Sequence, residues 1–139
     1  MKKFLKSFCA LALLLCLLAT VACGGGIDVD NAKTLIGDFL DKIADGDIGG
    51  ANACLHPAVP LQLGAYLEDV ERECGISFAD GITVERQTGV RYAYYDSKVG
   101  GSYYEQSLRG KVGNTTVYIT VTVVQNEAGY GVYDLDISK

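Results

Sequence analysis

Apolar positions along the chain change their spacing twice, from a continuous run to a helical period and then to alternation. Phe8 to Ala22 is apolar or small throughout except for Thr20. From Asp30 onward Ala32, Leu35, Ile36, Phe39, Leu40 and Ile43 recur every three or four residues. This predicts one amphipathic helix, with Asp30 as its N-cap and Asp45-Gly46-Asp47 as its end. Asp47 would cap a second, short helix through Leu55, weakened by Gly49 and Gly50 at about 1 kcal/mol each relative to Ala and stopped at His56-Pro57. Beyond Pro60, Leu63, Leu67, Val70 and Cys74 form a third stripe that Gly75 closes. Glu68 and Arg72 are spaced as an i, i+4 ion pair on its wet side.

Past Gly81 the period falls to two, and β-branched and aromatic residues dominate. Ile82, Val84, Val90, Tyr92 and Tyr94 share a parity along a long first strand, which Gln87-Thr88-Gly89 would bend or bulge. Asp96 to Ser102 is expected as loop, Tyr103 to Val112 as a second strand, and Gly113-Asn114 as a tight turn into a third, Thr115 to Gln125. There Val117, Ile119, Val121 and Val123 alternate with Tyr118, Thr120 and Thr122, so one side is dry and the other polar. A turn at Asn126 to Gly129 leads to a last strand with Tyr133, Leu135 and Ile137 on one side and Asp134 and Asp136 on the other. Helices followed by a meander predict an α+β domain over residues 30–139, N-terminal helices packed on a curved antiparallel sheet of about four strands.

The 139 residues, 49% of them apolar, suit one domain and exclude a disordered chain. Net charge is −5, and Lys2, Lys3 and Lys6 lie ahead of the apolar run, so the remainder is more acidic still. Such a body repels phosphate backbones and anionic lipid, which argues against nucleic-acid binding and electrostatic membrane docking. The three lysines, the run from Phe8 to Ala22 and then Cys23-Gly24-Gly25-Gly26 have the layout of a secretory signal, too short for the roughly 20 residues of a permanent span. With Ala22-Cys23 as its junction, the segment 1–22 resembles a bacterial lipoprotein signal, with Thr20 where that pattern has Leu. The resemblance implies acylation of the Cys23 sulfur and removal of all that precedes it. Residues 23–29 would then be a lipidated cysteine and flexible tether, and the domain would sit on the extracytoplasmic side of the cell membrane. Two or three acyl chains, at about 0.8 kcal/mol per CH₂, retain a protein where one does not. The competing reading leaves Cys23 a plain thiol near an ordinary cleavage site.

With Cys9 and Cys16 inside the leader, Cys54 and Cys74 remain as an even pair in an exported domain. A disulfide between them would close a loop of about 20 residues, contributing roughly 3 kcal/mol; otherwise both are small apolar residues on helix faces. One histidine and the cysteine spacing predict no metal site, and no cofactor motif is present in the sequence. The paired aspartates read as helix caps and a wet strand face, and Asn114-Thr115-Thr116 as turn chemistry rather than a glycosylation site.

The helix ending Ile43-Ala44-Asp45-Gly46-Asp47 before an Ala-rich second helix, the Leu55-His56-Pro57 break and the final Tyr130 to Ile137 together resemble the nuclear transport factor 2 type of cystatin-like fold. That resemblance covers nearly the whole domain and implies a sheet curled around a conical cavity, where enzymes of the fold place acids, His or Tyr. It also implies kinship with small exported lipoproteins of unknown function. On this basis Tyr66, Tyr92, Tyr94 and Tyr133 are candidate cavity residues. A tyrosine without a paired carboxylate of the same inward parity is a poor proton-transfer group, and His56 beside Pro57 is expected as a capping or surface residue. Tyr118, Thr120 and Thr122 form a candidate interaction face for a protein partner or a second copy. The expected function is therefore a non-catalytic, lipid-anchored binding or protein-interaction domain. The alternatives are a small cavity enzyme of isomerase or hydratase type and an inhibitor or immunity-like protein.

Overall fold

Three helices precede a four-stranded meander in the computed structural model, which describes residues 26–59 and 61–139. They are α1 (Val29–Ala44), α2 (Ile48–Ala53) and α3 (Leu63–Cys74), followed by a 3-10 turn at Phe78–Asp80. The strands β1 (Ile82–Asp96), β2 (Gly101–Val112), β3 (Thr115–Asn126) and β4 (Gly129–Ser138) lie in sequence order and pair antiparallel throughout. The fold is thus α+β, as the change of period predicts. The leader 1–22 and Cys23 lie outside the described residues.

The α1 stripe is buried as predicted at Ala32, Ile36, Phe39, Leu40 and Ile43. Its cap, however, is Asp28 and not Asp30: Asp28 Oδ1 accepts from the Asn31 N–H at 2.9 Å. Asp30 instead occupies the first turn, where a carboxylate faces the positive end of the helix dipole. Ile27, just before the cap, is the kind of apolar residue that folds back onto a helix start. It is buried, and its N–H donates to Ser102 Oγ of β2 at 2.8 Å. The expected tether over residues 23–29 therefore does not extend through Ile27, which already belongs to the core. Asp47 caps α2 through the Gly50 N–H at 2.9 Å, and α3 ends at Gly75 with φ +65, a left-handed position that suits glycine. The expected Glu68–Arg72 pair is replaced by an exposed one between Arg72 and Asp69, three residues back on the same helix.

Val117, Ile119, Val121 and Val123 of β3 are fully buried, in one cluster with the α1 stripe and with Leu63, Leu67 and Val70 of α3. On β4 a register shift against β3 sets Val132, not Tyr133, opposite Val123. The core side of β4 is accordingly Val132, Leu135 and Ile137, while Tyr133 is displaced to a half-buried position. β1 carries shifts between Val84 and Arg86 and again between Gln87 and Gly89. Two such shifts cancel in parity, so Val84, Val90 and Tyr92 pair with Gly110, Gln106 and Tyr104 on the side that also holds buried Leu108. They nevertheless stay about half exposed. A helix is about 10–12 Å across and strands lie 4.7–4.9 Å apart, so one helix covers two or three strands. The third helix, α3, packs toward β4; α1 reaches β1 as well, but most of that long edge strand stays exposed.

Candidate functional site

The sheet side away from the helices is a polar platform centred on β3. Tyr118 is 48% exposed, and Thr120 and Thr122 are fixed from β2: Thr120 Oγ1 shares a hydrogen bond with Ser107 Oγ at 3.0 Å, and the Thr122 hydroxyl donates to Glu105 Oε2 at 3.2 Å. These three residues thus have the outward placement that their alternation predicts. The antiparallel register adds a division of charge that the alternation of β3 alone does not carry. On the β1–β2 half stand Arg91, Arg109 and Lys111, partnered by Glu105 at 3.7 Å from Arg91 and by Glu85 at 3.7 and 3.6 Å from the other two. On the opposite half Asp134 and Asp136 of β4 pair across from Thr122 and Thr120. Both charge groups share parity with Tyr118, Thr120 and Thr122 once the strands are laid in register, and that is the signal that would have found them.

The four tyrosines assigned to a cavity are not brought together. Tyr92 and Tyr94 are 47% and 66% exposed. Tyr66 fastens α3 to the free edge of β4, its hydroxyl accepting from the Ile137 N–H at 2.9 Å. Burial raises the Tyr66 pKa above its ordinary value; the Ile137 N–H acts the other way and is outweighed, while Asp136 and Asp134 add to the rise. Tyr133 meets the His56 ring edge-on, with centroids 5.5 Å apart. A cleft of about 420 Å³ does open between the end of α1, α3 and the 3-10 turn, lined by Ile43, Ile48, Leu67 and Phe78 with Glu68 and Glu71, but by none of these tyrosines. Glu71 is engaged there, accepting from the Phe78 N–H at 2.8 Å.

His56, expected at the surface, is 1% exposed. Its Nδ1 accepts from the Ala58 N–H at 3.1 Å, which leaves the proton on Nε2, facing Asn126 Oδ1 at 2.9 Å and Gly129 O at 3.1 Å. The adjoining backbone bonds His56 N–H to Val132 O and Val132 N–H to Cys54 O, both at 2.8 Å, so the α2–α3 connection runs as a short parallel bridge along β4. The imidazole is a knot between that connection and the β3–β4 turn. Cys54 and Cys74 are free thiols and not a disulfide. Cys54 closes the last turn of α2, its thiol donating to Gly50 O at 3.5 Å, and Cys74 is buried in the core at the end of α3. Burial raises the Cys54 pKa, opposed by Lys42 and assisted by Asp38 and Asp47.

Among the described residues, no group of three or more His, Cys, Asp or Glu side chains is placed to hold a metal ion, and no helix is long and apolar enough to cross a membrane. No protein-family model, curated protein or solved structure matches the chain.

Proposed function

We propose that this protein is an extracytoplasmic lipoprotein, anchored to the cell membrane through acylated Cys23, whose domain is a non-catalytic interaction module of the nuclear transport factor 2-like, cystatin-like type. We further propose that the outer sheet face pairs with a second copy. The helices-then-meander order and the packing of α1 against the sheet support the finer fold reading. The observation that carries the functional reading is the polar platform on β3 with opposite charge on its two halves. When two such faces meet about a two-fold axis parallel to the strands, the basic β1–β2 half of one copy covers the Asp134 and Asp136 half of the other, so like charges are kept apart. Four strands of about 12 residues give a face of roughly 700 Å², near the 800 Å² per partner of a standard interface. The cavity-enzyme alternative draws no support from tyrosines that lie at the surface or are held by backbone.

Intact mass of the membrane-extracted protein should show acyl chains on Cys23, and their absence removes the anchor reading. Sedimentation of the detergent-solubilised protein should show a dimer that Asp134→Lys with Asp136→Lys converts to monomer. A wild-type chain that stays monomeric at every concentration overturns the pairing.

A further inference from the structure

Exposed tyrosines gather at one end of the sheet, around Gly26. Tyr92, Tyr94 and Tyr95 come from the end of β1 and Tyr130 from the start of β4; Tyr95 is 68% exposed. The pairings Asp96↔Gly101, Gly101↔Asn126 and Asn126↔Gly129 set the β1–β2 and β3–β4 turns side by side at that end. Asn126 ties them together, its Nδ2 donating to Val99 O at 2.8 Å. Gly26 to Asp28 cross the same end. A Cβ built on Gly26 would lie 2.8 Å from Tyr94 Cδ2 and 2.9 Å from Tyr92 Oη, so the backbone is laid directly against these two rings. Ile27 is held by Ser102 of β2, and Asp28 is near enough to Tyr130 to add to the rise that burial gives its pKa.

We infer that this tyrosine-rimmed end of the domain seats in the headgroup layer of a phospholipid bilayer and orients the domain on the membrane. The inference rests on the acylation of Cys23 proposed above. Gly26 is packed and Ile27 buried, so no more than the stretch from Cys23 to Gly26 can separate lipid from folded protein. At 3.3–3.6 Å per residue it reaches about 10 Å at full extension, comparable with the roughly 5–8 Å of headgroup region on each side of the hydrocarbon. The end that surrounds Gly26 therefore cannot stand clear of the surface. Tyrosine is the residue type suited to that layer, with an apolar ring and a hydroxyl that stays hydrated. The charges at this end are Asp28, Asp96 and Glu127 against Lys98, a balance that gains nothing from anionic lipid. Seating should therefore neither require anionic lipid nor be lost in high salt.

The chain contains no tryptophan, so one substitution installs a unique fluorescent reporter. The mature acylated protein carrying Tyr95→Trp is reconstituted into phosphatidylcholine vesicles, and into vesicles that also contain phosphatidylglycerol, each with or without brominated acyl chains. Tyr118→Trp, on the outer face toward the other end, is the control. Tyr95→Trp should lose most of its emission to the brominated lipid in both vesicle types and in high salt, and Tyr118→Trp little. Tyr130→Trp provides a second reporter, on a different strand, should Tyr95→Trp not fold. Equal quenching of the two ends, or unquenched reporters at Tyr95 and Tyr130 in protein whose mass shows acyl chains on Cys23, overturns the seating while leaving the anchor intact. Absence of acyl mass overturns both. Quenching that requires phosphatidylglycerol or vanishes in salt overturns the aromatic basis of the contact.

Discussion

Tyr104 is the residue whose chemistry fits its surroundings least. It is 1% exposed near the start of β2, across from Tyr92 and Val123, and its hydroxyl has no hydrogen-bond partner. An unpaired buried hydroxyl costs about 1–3 kcal/mol relative to its hydrated state. Tyr104→Phe keeps the ring and removes that oxygen, so it should raise stability by about 1 kcal/mol in urea unfolding; a loss of similar size would show that the hydroxyl is bonded. Burial also raises the pKa of Tyr104, Tyr66 and Tyr130. A phenol whose folded pKa exceeds its unfolded value of about 10 leaves stability unchanged below that pH and reduces it as pH rises through the folded value. The Cys54 thiol, raised by burial in the same way, acts from its lower unfolded value of about 8.5, so urea midpoints should be flat only up to about pH 8 and fall above it; a midpoint that rises there would contradict the direction. His56 shows why such details escaped the sequence. Its partners Asn126 and Gly129 lie some 70 positions away and announce themselves only through register.

At the scale of the element, β3 was legible because its alternation is strict and both of its neighbours are strands. Its two sides should respond oppositely to the same charge. Val121→Asp would place an unpaired carboxylate in the cluster that includes Ile36 and Phe39, at a cost of several kcal/mol, enough to abolish folding of a small domain. Thr120→Asp faces outward beside Ser107 and should change the melting temperature little, while weakening the proposed pairing of copies. Equal loss of melting temperature in both variants would mean that the sheet is not one-sided. β1 was only half legible. Alternation correctly put Val84, Val90 and Tyr92 on one side, but it carries no information about how many strands the helices cover. Tyr133 failed for another reason: a single register shift between β3 and β4 exchanged it with Val132, which no count of alternating residues anticipates.

For the whole molecule, the decisive division falls between Cys23 and Ile27. Everything from Ile27 onward belongs to the packed domain, whereas Cys23 precedes it and is the residue proposed to carry lipid. A chain of net charge −5 is not drawn to an anionic surface, and four exposed tyrosines on an otherwise polar body would hold it only weakly without a tether. The anchor turns that weak contact into an intramolecular one, with an effective concentration set by the short stretch to Gly26. Cys23→Ser, made in a chain whose leader is exchanged for an ordinary secretory one, should therefore move the protein from the membrane to the soluble fraction. Its melting temperature should not change, because the core cluster from Ile27 onward keeps all of its side chains, and substitutions away from packed sites usually stay within about 0.5 kcal/mol. Fractionation and thermal melts of the two proteins read these outcomes separately. A variant that remains with the membrane would show that the tyrosine-rimmed end suffices without lipid, and one that unfolds would show that the domain begins earlier than Gly26.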